Sequence, residues 1–273
     1  MSWWCMHKKY RFWVMKGGVL GLLLTMCGGE AALAQSDAGP LKKWPAEVRE
    51  VQIVNPNHKG VEPALFYAPP KEGGKRPVLV FLHQWGGDYL YAGGIPVARW
   101  CVAQNWVFVQ PNFRGANRRP EALGSDLVIS DICAALDYAR EHADVDASRI
   151  YLLGASGGGH AALLAAGRMP GLFRAVSAWV PITDLVAWHG QTAQTKYAKY
   201  ARDIENACGG ALVPGSPAEK EAIARSPLTH LFQAKGTLFD LNAGIHDGHS
   251  HAVPISHTFR AYNLLARSED QVS

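Results

Sequence analysis

The chain has 273 residues, 48% of them hydrophobic and 18% charged, with 28 Gly and 16 Pro; these proportions exclude disorder, collagen and coiled coil and allow one sizeable core. Its formal charge of +4 is set largely by Lys8, Lys9, Arg11 and Lys16. The remainder is nearly balanced, so no nucleic-acid partner is expected, since that would need a basic stripe on the folded part.

The first 34 residues read as an export signal. A basic, aromatic stretch up to Lys16 precedes the apolar run Gly17 to Met26, and Ala32-Leu33-Ala34 places small residues at both recognition positions, so a cut is expected after Ala34. The apolar run is far short of the ~20 residues that span a bilayer, and Glu30 follows closely. The expected destination is therefore secreted or periplasmic, with no membrane span in the mature chain. Cys5 and Cys27 leave with the signal, and Cys101, Cys133 and Cys208 remain at spacings that match no zinc pattern. One bridge with a free thiol and three free thiols are both open.

Residues 35–48 form a polar lead-in arm, and residues 49–273 alternate strand-like and helix-like stretches. Val51 to Val54 and Ala64 to Tyr67 read as an opening antiparallel pair across a turn-rich Asn55 to Gly60. The short apolar runs Pro77 to Leu82 and Trp106 to Gln110 read as strands buried on both faces. A helix follows over Asp126 to Glu141, then a strand over Arg149 to Gly154, a helix over Gly158 to Arg168 and a strand over Ala175 to Val180. Residues 185–225 break this rhythm and read as a helical insertion over the sheet. A strand at Thr237 to Asn242 and a helix from about Pro254 to Leu265 complete an α/β, mostly parallel, doubly wound sheet.

Gly154-Ala155-Ser156-Gly157-Gly158 has the pattern Gly-x-Ser-x-Gly at a strand end and a helix start, the context of a nucleophile elbow. Small residues on either side of the serine let a strained turn pack, and they lift the hydroxyl clear at a helix N-terminus. There the Gly157 N–H can meet a developing oxyanion. The second donor is expected from the loop His83-Gln84-Trp85-Gly86-Gly87, through the Trp85 N–H. His83 is expected to turn inward and fix that loop, and His160 to lie along the elbow helix.

The elbow, the His83 to Gly87 loop, and Pro111-Asn-Phe-Arg-Gly115 followed by Asp131-Ile132 resemble the α/β-hydrolase fold. The closer resemblance, over about residues 60 to 265, is to the catalytic domain of the prolyl oligopeptidase (S9) family and its dienelactone-hydrolase-like relatives. In that family the position of Trp85 often carries a Tyr whose hydroxyl assists the oxyanion, and Trp has no such hydroxyl. Chain order in this fold runs Ser, then Asp or Glu, then His, and Asp247 in Gly244-Ile-His-Asp-Gly-His249 matches the family's acid position. Asp184 is the reserve acid. The family's His lies beyond one further strand, for which the residues up to Ser273 leave no room, so the sheet is expected to lack its last strand. His249, His251 and His257 lie too close to Asp247 or inside the preceding helix, and the Gly-His-Asp-Gly-His-Ser-His cluster matches a metal site only weakly.

These features imply a secreted serine hydrolase that acts on a small ester or peptide substrate through an acyl-enzyme on Ser156, with Asp247 as acid, Trp85 and Gly157 as oxyanion donors, and no cofactor. The alternative is a truncated or inactive α/β-hydrolase-fold protein that serves as a binding module. The oligomeric state is left open.

Overall fold

In the computed structural model, which describes residues 10–15, 41–58, 60–234, 236–266 and 268–272, the strands in chain order are β1 (Tyr10–Met15), β2 (Arg49–Asn55), β3 (Gly60–Tyr67), β4 (Arg76–Leu82), β5 (Val107–Pro111), β6 (Val145–Ala155), β7 (Ala175–Trp179) and β8 (Leu238–Gly244). They form one sheet in the order β1-β8-β7-β6-β4-β5-β3-β2. Only β2 with β3 and β3 with β5 pair antiparallel; every other neighbour runs parallel. The mostly parallel α/β sheet expected from the alternating pattern is thus the one observed, and with it the α/β-hydrolase fold that the resemblance implied.

The helices are α1 (Ile95–Gln104), α2 (Asp126–His142), α3 (Gly157–Arg168), α4 (Leu185–Thr192), α5 (Ala198–Cys208), α6 (Pro217–Ala224) and α7 (Ser256–Leu265). Helix α2 shows how local chemistry sets the boundaries. Ser125 caps it by accepting from the Val128 N–H, Asp126 stands in the first turn, and Arg140 and His142 stand in the last. Those charges match the helix dipole at each end. Its buried face of Val128, Ile132, Ala135, Leu136 and Ala139 packs in one cluster with Phe66, Val80, Ile150 and Leu163. Burying each large side chain of this kind contributes about 1.5–3 kcal/mol. None of the helices among the described residues is long and apolar enough to cross a membrane.

Three features depart from the sequence reading or extend it. Helix α1 was not anticipated; its sequence Ile-Pro-Val-Ala-Arg-Trp-Cys-Val-Ala-Gln has no clean polar stripe, so helical periodicity does not show. The later part of the lead-in arm is built into the fold, because Trp44 and Val48 are buried beside Phe108 and Ile95. Strand β1 comes from within the stretch read as an export signal and runs parallel to β8, with Tyr10 opposite Phe239 and Met15 opposite Gly244. The edge of β8, beyond which no further strand was expected, therefore has a neighbour drawn from the N-terminal stretch. The apolar part of that stretch and the expected cut after Ala34 lie outside the described residues. Cys101, Cys133 and Cys208 are all free thiols.

Candidate active site

Ser156 sits between the end of β6 and the first residue of α3 with φ 54° and ψ −117°, a conformation that costs a non-glycine residue of order 1–3 kcal/mol. The surroundings hold it there. Its N–H donates to the Trp179 carbonyl at 2.8 Å, and its carbonyl accepts from the His160 N–H at 2.9 Å. The glycines on either side are required by contact rather than by flexibility. A Cβ on Gly154 would strike the Gly158 carbonyl, and one on Gly158 would strike the Leu82 carbonyl. The turn can close only because those atoms are missing.

Gly157 brings the elbow against the loop after β4. A Cβ there would come within 2.5 Å of the Trp85 nitrogen and 3.0 Å of Asn117 Nδ2. The Gly157 N–H belongs to the first turn of α3, where no intrahelical acceptor exists, and the Trp85 N–H has no acceptor among the described residues. Two unspent backbone donors thus belong to segments in close contact, the elbow and the loop after β4. The Trp85 indole is occupied elsewhere: Nε1 donates to Asp203 Oδ2 at 3.0 Å, and the ring packs edge-on against Trp188 and Tyr200.

The Asn112 to Gly115 element braces this loop from below. Arg114 donates through Nε at 2.7 Å and Nη2 at 3.1 Å to the two oxygens of Asp131, and Asn112 Nδ2 donates to Glu62 at 2.6 Å. Phe113, Arg114 and Gly115 all have positive φ, and the paired guanidinium anchors that tight reversal. His83 lies between the Gln84 and Asn112 carbonyls at 3.0 and 2.9 Å and stacks on Phe113. Burial lowers its pKa. It positions the loop and does not face the serine.

Asp247, 9% exposed, follows β8 and accepts from the Gly244 N–H at 2.7 Å. Burial raises its pKa, so a cation beside it would be favoured. Among the described residues the imidazole within 4 Å of it is that of His251, half exposed, with Nδ1 at 3.8 Å from Oδ1, beyond hydrogen-bond reach. The reserve acid, Asp184, is committed: it caps α4 by accepting from the Ala187 N–H and pairs with Arg260 at 3.0 Å. His257 is locked, since its Nδ1 accepts from the Thr183 N–H and its Nε2–H donates to Gln191. His160 donates from Nε2 to the Arg225 carbonyl. Burial holds the pKa of each of these two at about 4. Among the described residues, no histidine nitrogen lies within hydrogen-bond distance of the Ser156 hydroxyl, and none of the His, Cys, Asp and Glu side chains cluster as a metal site.

The insertion of α4, α5 and α6 covers the site. Trp188 packs on Trp85 and donates from Nε1 to the Ala252 carbonyl at 2.8 Å, and Tyr197 donates to the Ser250 carbonyl at 2.9 Å. The same segment therefore touches both the His83 to Gly87 loop and the loop that bears Asp247.

The family model for the prolyl oligopeptidase family matches residues 96–273, a stretch that includes the elbow, the Arg114 element and Asp247. The chain belongs to the prolyl oligopeptidase family. Its members are α/β-hydrolase-fold serine peptidases. Among solved structures it is similar to an acylaminoacyl peptidase of Pyrococcus horikoshii, with TM-score 0.62, 20% identity, and coverage of 80% of this chain and 34% of that one. It is similar as well to a puromycin-hydrolysing peptidase of Mycobacterium tuberculosis, with TM-score 0.62, 19% identity, and coverage of 80% and 33%. A structure of prolyl endopeptidases gives TM-score 0.60 at 18% identity, with 80% and 31% covered. At such identities the likeness is one of fold, and this family member spans about a third of the length of those chains. No curated protein sequence matches it.

Two polar residues of this prolyl oligopeptidase-family site escaped the sequence reading. Asn117 lies two residues past the Arg-Gly pair, and Asp203 lies in the insertion. A polar side chain just after a tight Arg-Gly turn was the available signal for the first. Nothing local marks the second, because its partner Trp85 is distant in sequence.

Proposed function

We propose that the chain is a serine hydrolase that cleaves peptide or ester bonds through an acyl-enzyme on Ser156. The observation that carries this reading is the close approach of the Trp85 nitrogen to Gly157 beside a serine held at φ 54°. Such an approach supports a reading of Ser156 as nucleophile with two backbone donors to the oxyanion. In the reaction Ser156 Oγ bonds to the substrate carbonyl carbon, and the π pair moves onto the oxygen. That oxygen lies within reach of the Gly157 and Trp85 N–H groups. The hydroxyl proton leaves to a base that the described residues do not place at Ser156; Asp247 is the carboxylate that would orient an imidazole there and balance its charge. Collapse expels the amine or alcohol, and water then releases the acyl group. A peptide substrate is favoured by the family; an ester is the second class that the same chemistry accepts.

Export is part of the proposal, supported by the basic stretch up to Lys16, the apolar run Gly17 to Met26 and the small residues Ala32 and Ala34. The function is tested with a fluorophosphonate probe on the folded protein. Labelling that disappears in Ser156→Ala is the expected result, and a folded wild-type chain that takes no label refutes the reading.

A further inference from the structure

We infer that Asn117 supplies a third, side-chain donor to the oxyanion; the inference rests on the proposed serine chemistry. Asn117 is 2% exposed, and its Nδ2 is a buried donor without a hydrogen-bond partner among the described residues. An unmet buried amide costs about 1–3 kcal/mol, so the position calls for an explanation. Its direction is fixed by the opposite end of the side chain. The Leu123 N–H donates to Oδ1 at 3.0 Å, which leaves Nδ2 as the end that points the other way, toward Gly157. There it stands 3.0 Å from where a Gly157 Cβ would be, on the side that also meets the Trp85 nitrogen.

The backbone ties make the placement specific. Asn117 N–H donates to the Trp85 carbonyl at 2.9 Å, so the residue that would assist the oxyanion is bonded to the residue that forms the hole. The ion pair of Arg114 with Asp131 holds the turn just before it. The Trp85 side chain cannot serve, because its only donor is spent on Asp203. As Ser156 Oγ bonds to the carbonyl carbon and the negative charge develops on oxygen, Nδ2–H of Asn117 finds the acceptor that it lacks in the free protein. The interaction is thus made in the transition state and not in the ground state, which is the kind that raises kcat.

Asn117→Asp tests the idea with little change of shape: one carboxylate oxygen can keep the Leu123 bond while the donor becomes an acceptor. Expected is a fall in the rate of Ser156 phosphonylation, and in kcat with KM little changed, of about 10²-fold, the usual effect of losing one such donor. A variant that labels within threefold of the wild-type rate overturns the role of Asn117 and leaves Ser156 as nucleophile. Absence of label on the wild-type chain overturns both readings together. Should Asn117→Asp fail to fold, the wild-type protein carries the test. Its Asn117 side-chain amide resonances, followed by ¹⁵N NMR, are expected to move downfield when Ser156 carries a phosphonate or boronate adduct. Amide resonances that stay in place on adduct formation refute the donor.

Discussion

The backbone nitrogen of Trp85 lies against the Cα of Gly157, so close that a methyl group there would come within 2.5 Å of it. Gly157→Ala must therefore push the loop after β4 away from the elbow. The expected result is a fold that survives, at a cost of about 1–3 kcal/mol for overpacking, with Ser156 phosphonylation slowed by 10²-fold or more as one oxyanion donor is displaced. Comparison of labelling rate with thermal midpoint checks it. Equal losses in both would place the effect on folding and not on the donor.

The strain at Ser156 gives a second expectation. A residue at φ 54° and ψ −117° is relieved by glycine, so Ser156→Gly is expected to abolish labelling while it raises unfolding free energy by about 1 kcal/mol, a gain partly offset by glycine's larger unfolded-state entropy. Denaturant melts of wild type, Ser156→Gly and Ser156→Ala decide the point. A glycine variant less stable than the alanine variant would show that the serine conformation is not strained.

Stability should depend on pH through two buried histidines. The pKa values of His160 and His257 are held at about 4, below the usual 6.5, so between those values the unfolded chain binds protons that the native one refuses. Stability is therefore complete above about pH 6.5, falls as pH drops through that window, and levels off below about 4. At about 1.4 kcal/mol per pKa unit, each site accounts for roughly 3 kcal/mol at most. Urea midpoints between pH 7.5 and 4.5 are expected to decline, with a shallower decline in His160→Gln. An equal slope in wild type and variant would exclude His160 as a source.

The Asp203 contact links the insertion to the oxyanion loop. Asp203→Ala leaves the buried Trp85 indole N–H without its acceptor, at a cost of about 1–3 kcal/mol. It also frees the ring to shift against Trp188. Asp203→Asn, which keeps an acceptor oxygen, is expected to recover most of both stability and labelling rate. Failure of the asparagine variant to recover either would make the charge, and not the hydrogen bond, the essential feature.

His251 stands 3.8 Å from Asp247, and among the described residues no imidazole is hydrogen-bonded to the Ser156 hydroxyl. Added imidazole is then expected to accelerate phosphonylation several-fold, and His251→Ala to leave the rate nearly unchanged. A collapse of labelling in His251→Ala would mean instead that the loop after β8 closes and carries His251 to the serine.

Much of this was legible in the chain, and the limits have physical causes. The elbow could be read because sterics permit only glycine at Gly154 and Gly158 once the serine turns between strand and helix. The buried strands could be read because parallel strands covered on both faces are apolar throughout. The Arg114 pairing with Asp131 was visible as a motif, although its purpose, the bracing of a loop, needed the fold. Asn117 and Asp203 were not visible, since each acts through a partner brought near only by tertiary packing. Helix α1 was missed because its apolar residues run round most of its surface, and β1 because its residues also suit the charged start of an export signal.

The bonds from Trp188 to Ala252 and from Tyr197 to Ser250 fasten the 185–225 segment to the segment that carries Asp247. On the proposed chemistry, specificity and proton handling are consequently not separable modules. Exchange of the 185–225 segment for that of a relative would alter what enters the site and, by the same stroke, the seat of Asp247. Any selection for a new substrate through these helices has therefore to pass through variants whose Asp247 is also displaced.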